Sequence, residues 1–380
     1  MKTLIKNNSL YYFFIITQIL VVLLGIQDDY TIGNNVKYGN AVLYHFAGLI
    51  FFTVGYLPLS KKTFIDEKLI VKKNLSINKS FYLYGYILSI VGLITSVATI
   101  GSIISPIVYL QILFSGGSDL LQIKYDSGTT GLTGFFKMMN YFPLGVFLVS
   151  NSFTTFYHLS EKDNKKMKKL ILFATLGCVV KVFFSLDRLT LLAMILVFFY
   201  KNFLEKKVKI QYIVYIMLII FLLGFITASR MGGSGIVEFL VTYFKLSIVN
   251  YELIIDTHQD FTYGFNSFLM PFWYILKFFG IDYEIPSPEH WIWNPAQYFA
   301  SYLYMDFGVF SMLVFLLIGV VVRKIQLKTS YGNLYYSSIY FIILFALITF
   351  ISVPIIRAIE FWLMLTLALF MSKNVKIENS

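Results

Sequence analysis

The chain has 380 residues, 58% hydrophobic, 19% aromatic and only 13% charged. A water-soluble chain of this length could not bury so much apolar surface, so a soluble globular protein is excluded and an α-helical membrane protein is expected. The net charge of +11 does not point to nucleic acid, because the lysines cluster in short segments between apolar runs, as orientation signals do.

A membrane span takes ~20 mostly apolar residues. Ten stretches qualify: 10–26, 40–59, 80–101, 134–157, 170–186, 188–200, 210–228, 301–322, 334–352 and 354–371. The first follows MKTLIKNNS and has no small-x-small cleavage site after Leu24, so it reads as an uncleaved span rather than a signal peptide. The fifth and sixth are short and meet at Asp187-Arg188. As a hairpin that stops short of crossing, they would alter the count, which lies between eight and eleven. The fold class expected is all-α and polytopic, one integral membrane domain over 1–380. Cys178, the single cysteine, lies inside an apolar run and excludes a disulfide framework or a thiolate metal site.

Lysine sets the orientation. Lys2 and Lys6 precede the first span. Lys61, Lys62, Lys68, Lys72, Lys73 and Lys79 fill the second loop, and Lys162, Lys165, Lys166, Lys168 and Lys169 the fourth. Lys201, Lys206, Lys207 and Lys209 follow the sixth span, Arg323, Lys324 and Lys328 the eighth, and Lys373 and Lys376 the tenth. These alternate segments are expected on the cytoplasmic side of a plasma membrane, with both termini there.

Two external regions are long. Residues 102–133 carry glycine-rich runs, Ser115-Gly116-Gly117-Ser118 and Ser127-Gly128-Thr129-Thr130-Gly131, that read as a loop. Residues 229–300 form the largest mixed region. Within it, Glu238, Thr242, Lys245, Glu252 and Asp256 share one stripe of a helix over 236–256, predicted to lie on the outer membrane surface. Residues 267–280, with Pro271 and Trp273, read as an interfacial or re-entrant helix. No internal repeat is evident, which counts against the paired halves of many transporters.

Lysine outnumbers arginine 27 to 4, and three of the four arginines break the orientation rule. Arg188, Arg230 and Arg357 fall at predicted outer ends of spans. A permanently charged fork beside a membrane calls for an anionic partner. Arg188 has Lys181 seven residues earlier on the same helical face, a pair suited to a phosphate, but Asp187 beside it offers simple neutralisation. Arg230 ends the seventh span ahead of Met231-Gly232-Gly233, where the helix dipole favours a cation anyway. Arg357 follows Pro354 one turn into the last span, and Glu360 three residues on is a candidate ion-pair partner.

His45 and His158 fall in or at the ends of spans and read as packing or interfacial residues. His258 and His290 lie in the large external region beside carboxylates, where a histidine can act as a general base. There is no HExxH, no DxD and no glycine-rich nucleotide loop after a strand, so neither a metal nor a nucleotide cofactor is expected.

The segments Thr262-Tyr263-Gly264-Phe265, Asn294-Pro295-Ala296-Gln297 and Tyr304-Met305-Asp306-Phe307-Gly308 resemble bacterial O-antigen and capsular polysaccharide polymerases of the Wzy type. The Asp187-Arg188 junction and Ser229-Arg230 are similar to that family too, and the likeness runs diffusely over 185–360. It implies a glycosyltransferase-C-like membrane fold and a metal-independent enzyme acting at the outer face. The implied reaction transfers a growing chain from undecaprenyl pyrophosphate to a hydroxyl of the next lipid-linked repeat unit, in lipopolysaccharide or capsule synthesis. It implies a chain-length regulator and a flippase as partners besides membrane lipid. In related ligases a histidine immediately precedes the asparagine; here Trp293 precedes Asn294 and His290 lies four residues before it. The candidate catalytic residues are Arg188, Arg230, Arg357 and His290. The candidate substrate-binding residues are Lys181, Asp187, Trp291, Asn294, Tyr298 and Asp306. A lipid-linked oligosaccharide flippase and an O-antigen ligase are the competing expectations.

Overall fold

Apolar runs become helices because the helix alone satisfies every backbone N–H and C=O within its own segment. The structure is a computed structural model that describes residues 8–25, 39–57, 72–115, 138–185, 187–205, 236–257, 261–269, 272, 280, 298–350 and 354–378. Most of these are helical. In chain order the helices are α1 (Ser9–Gly25), α2 (Gly39–Tyr56), α3 (Lys79–Gly101), α4 (Pro106–Ser115), α5 (Phe142–Phe156), α6 (Glu161–Ser185), α7 (Arg188–Glu205), α8 (Ile236–Thr257), α9 (Phe299–Phe307), α10 (Ser311–Ser330), α11 (Leu334–Thr349) and α12 (Ile359–Ser372). Short strands β1 (Asn74–Ile77), β2 (His158–Leu159) and β3 (Val375–Ile377) complete the described elements.

Contacts divide the chain into two compact units. One comprises Met1–Leu69, Val237–Lys328 and Ile343–Trp362; the other comprises Ile70–Ile236, Thr329–Ile342 and Leu363–Ser380. The domain expected as one over 1–380 therefore contains two units, each assembled from separated stretches.

In the first unit α2 and α10 meet backbone to backbone. A Cβ on Gly55 would overlap the Leu316 carbonyl, one on Gly319 would overlap the Phe52 carbonyl, and one on Gly48 would stand 3.0 Å from the Phe315 ring. Small residues at such a crossing let two helices approach where no hydrophobic drive separates protein from lipid. Arg323 on α10 donates from Nη1 to the Tyr56 carbonyl at 2.7 Å, closing the C-terminal end of α2 where the helix dipole favours a cation.

In the second unit α3, α5 and α6 converge on Pro143. Gly92 and Gly177 both face its ring with no room for a Cβ. Pro143 itself stands in the first turn of α5, where a missing N–H costs nothing. The strands form one sheet in the order β2-β1-β3. β1 runs parallel to β2, with Asn74 opposite His158, and antiparallel to β3, with Leu75 opposite Ile377 and Ile77 opposite Val375. Leu75, Ile77 and Val375 point inward while Asn74 and Ser76 are exposed, the period-2 pattern of a half-buried strand.

Among the described residues two helical stretches, Lys79–Gly101 and Phe299–Ser330, are long and apolar enough to cross a membrane. α3 has the inverse of a soluble helix: Leu83, Ile87, Ile90 and Ile94 are exposed along one stripe, while Ser89, Thr95, Ser96 and Thr99 are buried. Those buried hydroxyls donate to carbonyls three or four residues back in their own helix, so no polar group is left without an acceptor. α10 has a similar outward stripe in Leu313, Leu317, Val320 and Val321.

Several expectations change. The predicted span 301–322 is broken at Gly308, whose φ of 53° ends α9 and starts a 3₁₀ turn before α10. The predicted last span begins later, at Ile359, because Ile355–Arg357 is a separate 3₁₀ turn. The basic fourth loop is not a loop: α6 starts at Glu161 and includes its lysines. Part of the 102–133 region is helical, as α4. The helix expected over 236–256 is present as α8, but residues 246–252 are buried on every face, so this half lies inside its unit and not along a surface. Glu252, assigned to the polar stripe, is 3% exposed and accepts from the N–H groups of Asn40 and Ala41 at the N-terminus of α2. The predicted span 210–228 and most of the helix expected over 267–280 lie outside the described residues.

Candidate functional site

The Thr262–Phe265 segment and the Asp306-Phe307-Gly308 segment, some forty positions apart, are brought together residue by residue. Asp306 is fully buried at the C-terminal end of α9. Its Oδ1 accepts from the Asn266 N–H at 2.9 Å and from the Thr262 hydroxyl, and its Oδ2 accepts from the Ser267 N–H at 2.7 Å. The Thr262 and Tyr263 N–H groups donate to the Met305 and Asp306 carbonyls at 3.2 and 3.0 Å. The Phe307 ring backs Gly264, and Phe261 packs against Gly308 so closely that a Cβ there would stand 2.6 Å from its ring. Both glycines have positive φ, 92° and 53°, so side chains are barred from these positions by conformation as well as by space.

This clamp winds Phe265–Leu269 into a π-type turn, a form that is rare and concentrated at functional sites. The turn directs the Asn266 carbonyl to Arg357, whose Nε donates to it at 2.6 Å. The Arg357 guanidinium carbon stands 3.3 Å from the centroid of the Tyr302 ring. Tyr302 lies four residues before Asp306 on α9, one helical turn away. Arg357 itself is placed by the 3₁₀ turn, whose N–H bonds run from Arg357 to Pro354 and from Ala358 to Ile355, and by Trp362, which donates to the Ile356 carbonyl.

The expected Arg357–Glu360 pair is not the arrangement found. Arg357 precedes the helix that carries Glu360, with Ala358 extended between them, so the i,i+3 geometry of one helix is lost. Among the described residues no carboxylate is within ion-pair distance of Arg357. Asp306 acts on it electrostatically, and both Asp306 oxygens are occupied by the loop. A guanidinium has five donors in a fixed fork. Here Nε is taken by Asn266 and the guanidinium face lies on the Tyr302 ring, which leaves donors for a further acceptor. Two buried acceptors in the turn, Asn266 Oδ1 and Ser267 Oγ, have no hydrogen-bond partner among the described residues. Arg357 is half-buried and its direct contacts are neutral, a carbonyl and an aromatic ring, a setting in which a guanidinium can engage an anion.

Lys181 and Asp187 also meet, in the other unit, but differently. Lys181 is 2% exposed and its ammonium pairs with Asp187 and donates to the Thr190 hydroxyl at 2.8 Å. Asp187 caps α7: Oδ1 accepts from the Leu189 N–H at 3.0 Å and Oδ2 from the Thr190 hydroxyl at 2.7 Å. Burial pushes the Asp187 carboxyl up, but the Lys181 charge and the hydrogen bonds from Lys181, Thr190 and Leu189 outweigh it and hold the group below its ordinary range. The candidate substrate-binding residues Lys181 and Asp187 bond each other and the start of α7. Arg188 opens α7 and is half-buried.

Tyr298, a candidate substrate-binding residue, is 1% exposed. Its ring stacks on His45 at 4.9 Å and its hydroxyl donates to Gln18 Oε1 at 2.6 Å. Asp306, expected to contact substrate, holds the 262–267 loop instead. Arg230, His290, Trp291 and Asn294 lie outside the described residues. The candidate site residues read from the sequence do not include Tyr302, Asn266 or Thr262. The i,i+4 spacing of Tyr302 and Asp306 was the available signal for the first; nothing local marks the other two as partners of α9.

Comparison with known protein families, with curated proteins and with solved structures yields no match.

Proposed function

We propose that the chain is a repeat-unit polymerase of the plasma membrane. It would extend polysaccharide on undecaprenyl pyrophosphate at the outer face, without a metal, and Arg357 would bind the phosphoryl group of the lipid-linked donor. The observation that carries this reading is the setting of Arg357: a half-buried guanidinium held by the Asn266 carbonyl and the Tyr302 ring, with no described carboxylate within ion-pair distance. Its supporting loop is built from the two segments that resemble polysaccharide polymerases. In the transfer, an acceptor hydroxyl attacks the anomeric carbon, the bond to the pyrophosphate oxygen breaks, and the hydroxyl proton passes to a base. Charge develops on the leaving pyrophosphate, where a preorganised guanidinium stabilises it most. Asp306 acts through the loop as a positioning residue.

The ten-span topology with both termini cytoplasmic belongs to the same reading. Its support is the outward apolar stripes and the small sheet: β1, β2 and β3 come from three segments that the lysine distribution assigns to one side.

The test is a polysaccharide gel from cells in which the gene is deleted and complemented. Deletion is expected to leave a single repeat unit, the wild-type gene to restore the full ladder, and Arg357→Ala to lose chains above one repeat. Arg357→Lys should rescue poorly, because a point charge replaces the fork. Loss of all surface glycan on deletion would instead indicate a flippase, and accumulation of polymerised but unattached chains a ligase.

A further inference from the structure

Tyr263 is the one non-glycine residue with positive φ among the described residues, at 47°. L-residues with bulky side chains avoid this region, and such outliers persist only where the surroundings impose them. The surroundings here are the Asp306 clamp: the Tyr263 N–H is tied to the Asp306 carbonyl, and the residues on either side are fixed by the Asp306 carboxylate and the Phe307 ring. The next four residues, Gly264, Phe265, Asn266 and Ser267, are buried, yet the Tyr263 side chain is 82% exposed, the most exposed large hydrophobic residue described. The loop therefore hides its polar atoms and presents one aromatic ring in a conformation that asparagine or glycine would adopt more easily.

We propose that Tyr263 is a carbohydrate contact: one sugar ring of the lipid-linked oligosaccharide rests on the Tyr263 face while the adjoining phosphoryl group engages Arg357. This rests on the polymerase reading. The two belong to one loop: Tyr263 lies three residues before Asn266, whose carbonyl holds Arg357. A rigid loop shared by both contacts fits a donor whose first sugar is joined directly to its phosphate. An aromatic face suits the C–H surface of a sugar ring, and a ring already held in place loses little freedom on binding.

The experiment uses full-length protein in bilayer nanodiscs and, as the probe, lipid-linked repeat unit extracted from cells deleted for the gene. Tyr263→Gly and Tyr263→Asn remove the ring but suit the positive φ, so neither should compromise folding. Both are expected to raise KM for the lipid-linked unit about tenfold with kcat little changed, whereas Tyr263→Phe behaves as wild type. Wild-type kinetics from the glycine and asparagine variants overturn the inference and leave the polymerase reading intact. A Phe variant as impaired as the glycine variant overturns ring stacking in favour of the hydroxyl. Reduced membrane insertion of the glycine and asparagine variants, with unchanged KM, makes Tyr263 a bilayer anchor and overturns it as well. A wild-type chain that extends nothing overturns the polymerase reading and this inference together.

Discussion

Arg357 and Lys181 look alike in sequence: each is a cation at the predicted outer end of a span with an acid close by. In the structure they are opposites. Lys181 reaches back across the α6–α7 break to Asp187, and the pair is sealed with Thr190 and a helix N-terminus. Arg357 turns away from Glu360 to a carbonyl and an aromatic ring. The acid that acts on it, Asp306, has both oxygens bonded by the loop it clamps. The partners of Lys181 complete its valence; Arg357, held by neutral groups with donors to spare, is the candidate site.

The contrast is sharpest in stability. Lys181→Met strands a buried carboxylate and is expected to cost about 3–5 kcal/mol, while Lys181→Met with Asp187→Asn, which keeps the cap acceptor, recovers most of it. Cys178, buried and the single cysteine, supplies the readout: its reactivity with a thiol dye during heating reports unfolding. Equal loss in the single and double variants would show that the charge pairing is not what matters there.

Asp306→Ala comes next. It orphans two buried N–H groups and a hydroxyl, at about 1–3 kcal/mol for a stranded donor, and lets the loop that holds Arg357 relax. Stability and polymer length should fall together. A stable variant with no polymer would instead make Asp306 a direct participant.

Glu252→Gln is expected to cost about 1 kcal/mol, the scale of losing charge at a helix N-terminus, with the polysaccharide ladder unchanged. A lost ladder would move α8 into the site.

The smallest effect concerns pH. The Asp187 carboxyl is held below its unfolded value of about 3.9. Its stabilising contribution is therefore complete above about pH 4 and is lost only as pH falls toward the folded value. Thermal stability measured between pH 5 and 8 should show no titration from this pair; a transition there that vanishes in Asp187→Asn would contradict the assignment.

Helix positions were legible because hydropathy and length act locally: α1 and α3 fall within a residue or so of their expected ranges. The break at Gly308 was not, since Phe307, Val309 and Phe310 keep the run apolar straight through it. The sheet was not legible either, because strands of two to four residues inside lysine-rich segments carry too little alternation to count. Helical periodicity correctly put α8 in the chain and then misjudged Glu252, whose burial is decided by the N-terminus of α2, a partner about two hundred positions away. The site followed the same rule. Thr262-Tyr263-Gly264-Phe265 and Asp306-Phe307-Gly308 were noticed as segments, but that one carboxylate clamps the other segment, and that the clamp directs a carbonyl to Arg357, is tertiary information with no local trace.

The central claim is that Arg357 serves the reaction and Lys181 the fold. The most direct measurement pairs polymer formation with Cys178-reported thermal stability for Arg357→Met in nanodiscs. The account predicts a rate lower by on the order of 10²–10³, with the unfolding temperature shifted far less than in Lys181→Met. A full-length ladder from Arg357→Met, or a loss of activity fully accounted for by unfolding, would contradict it.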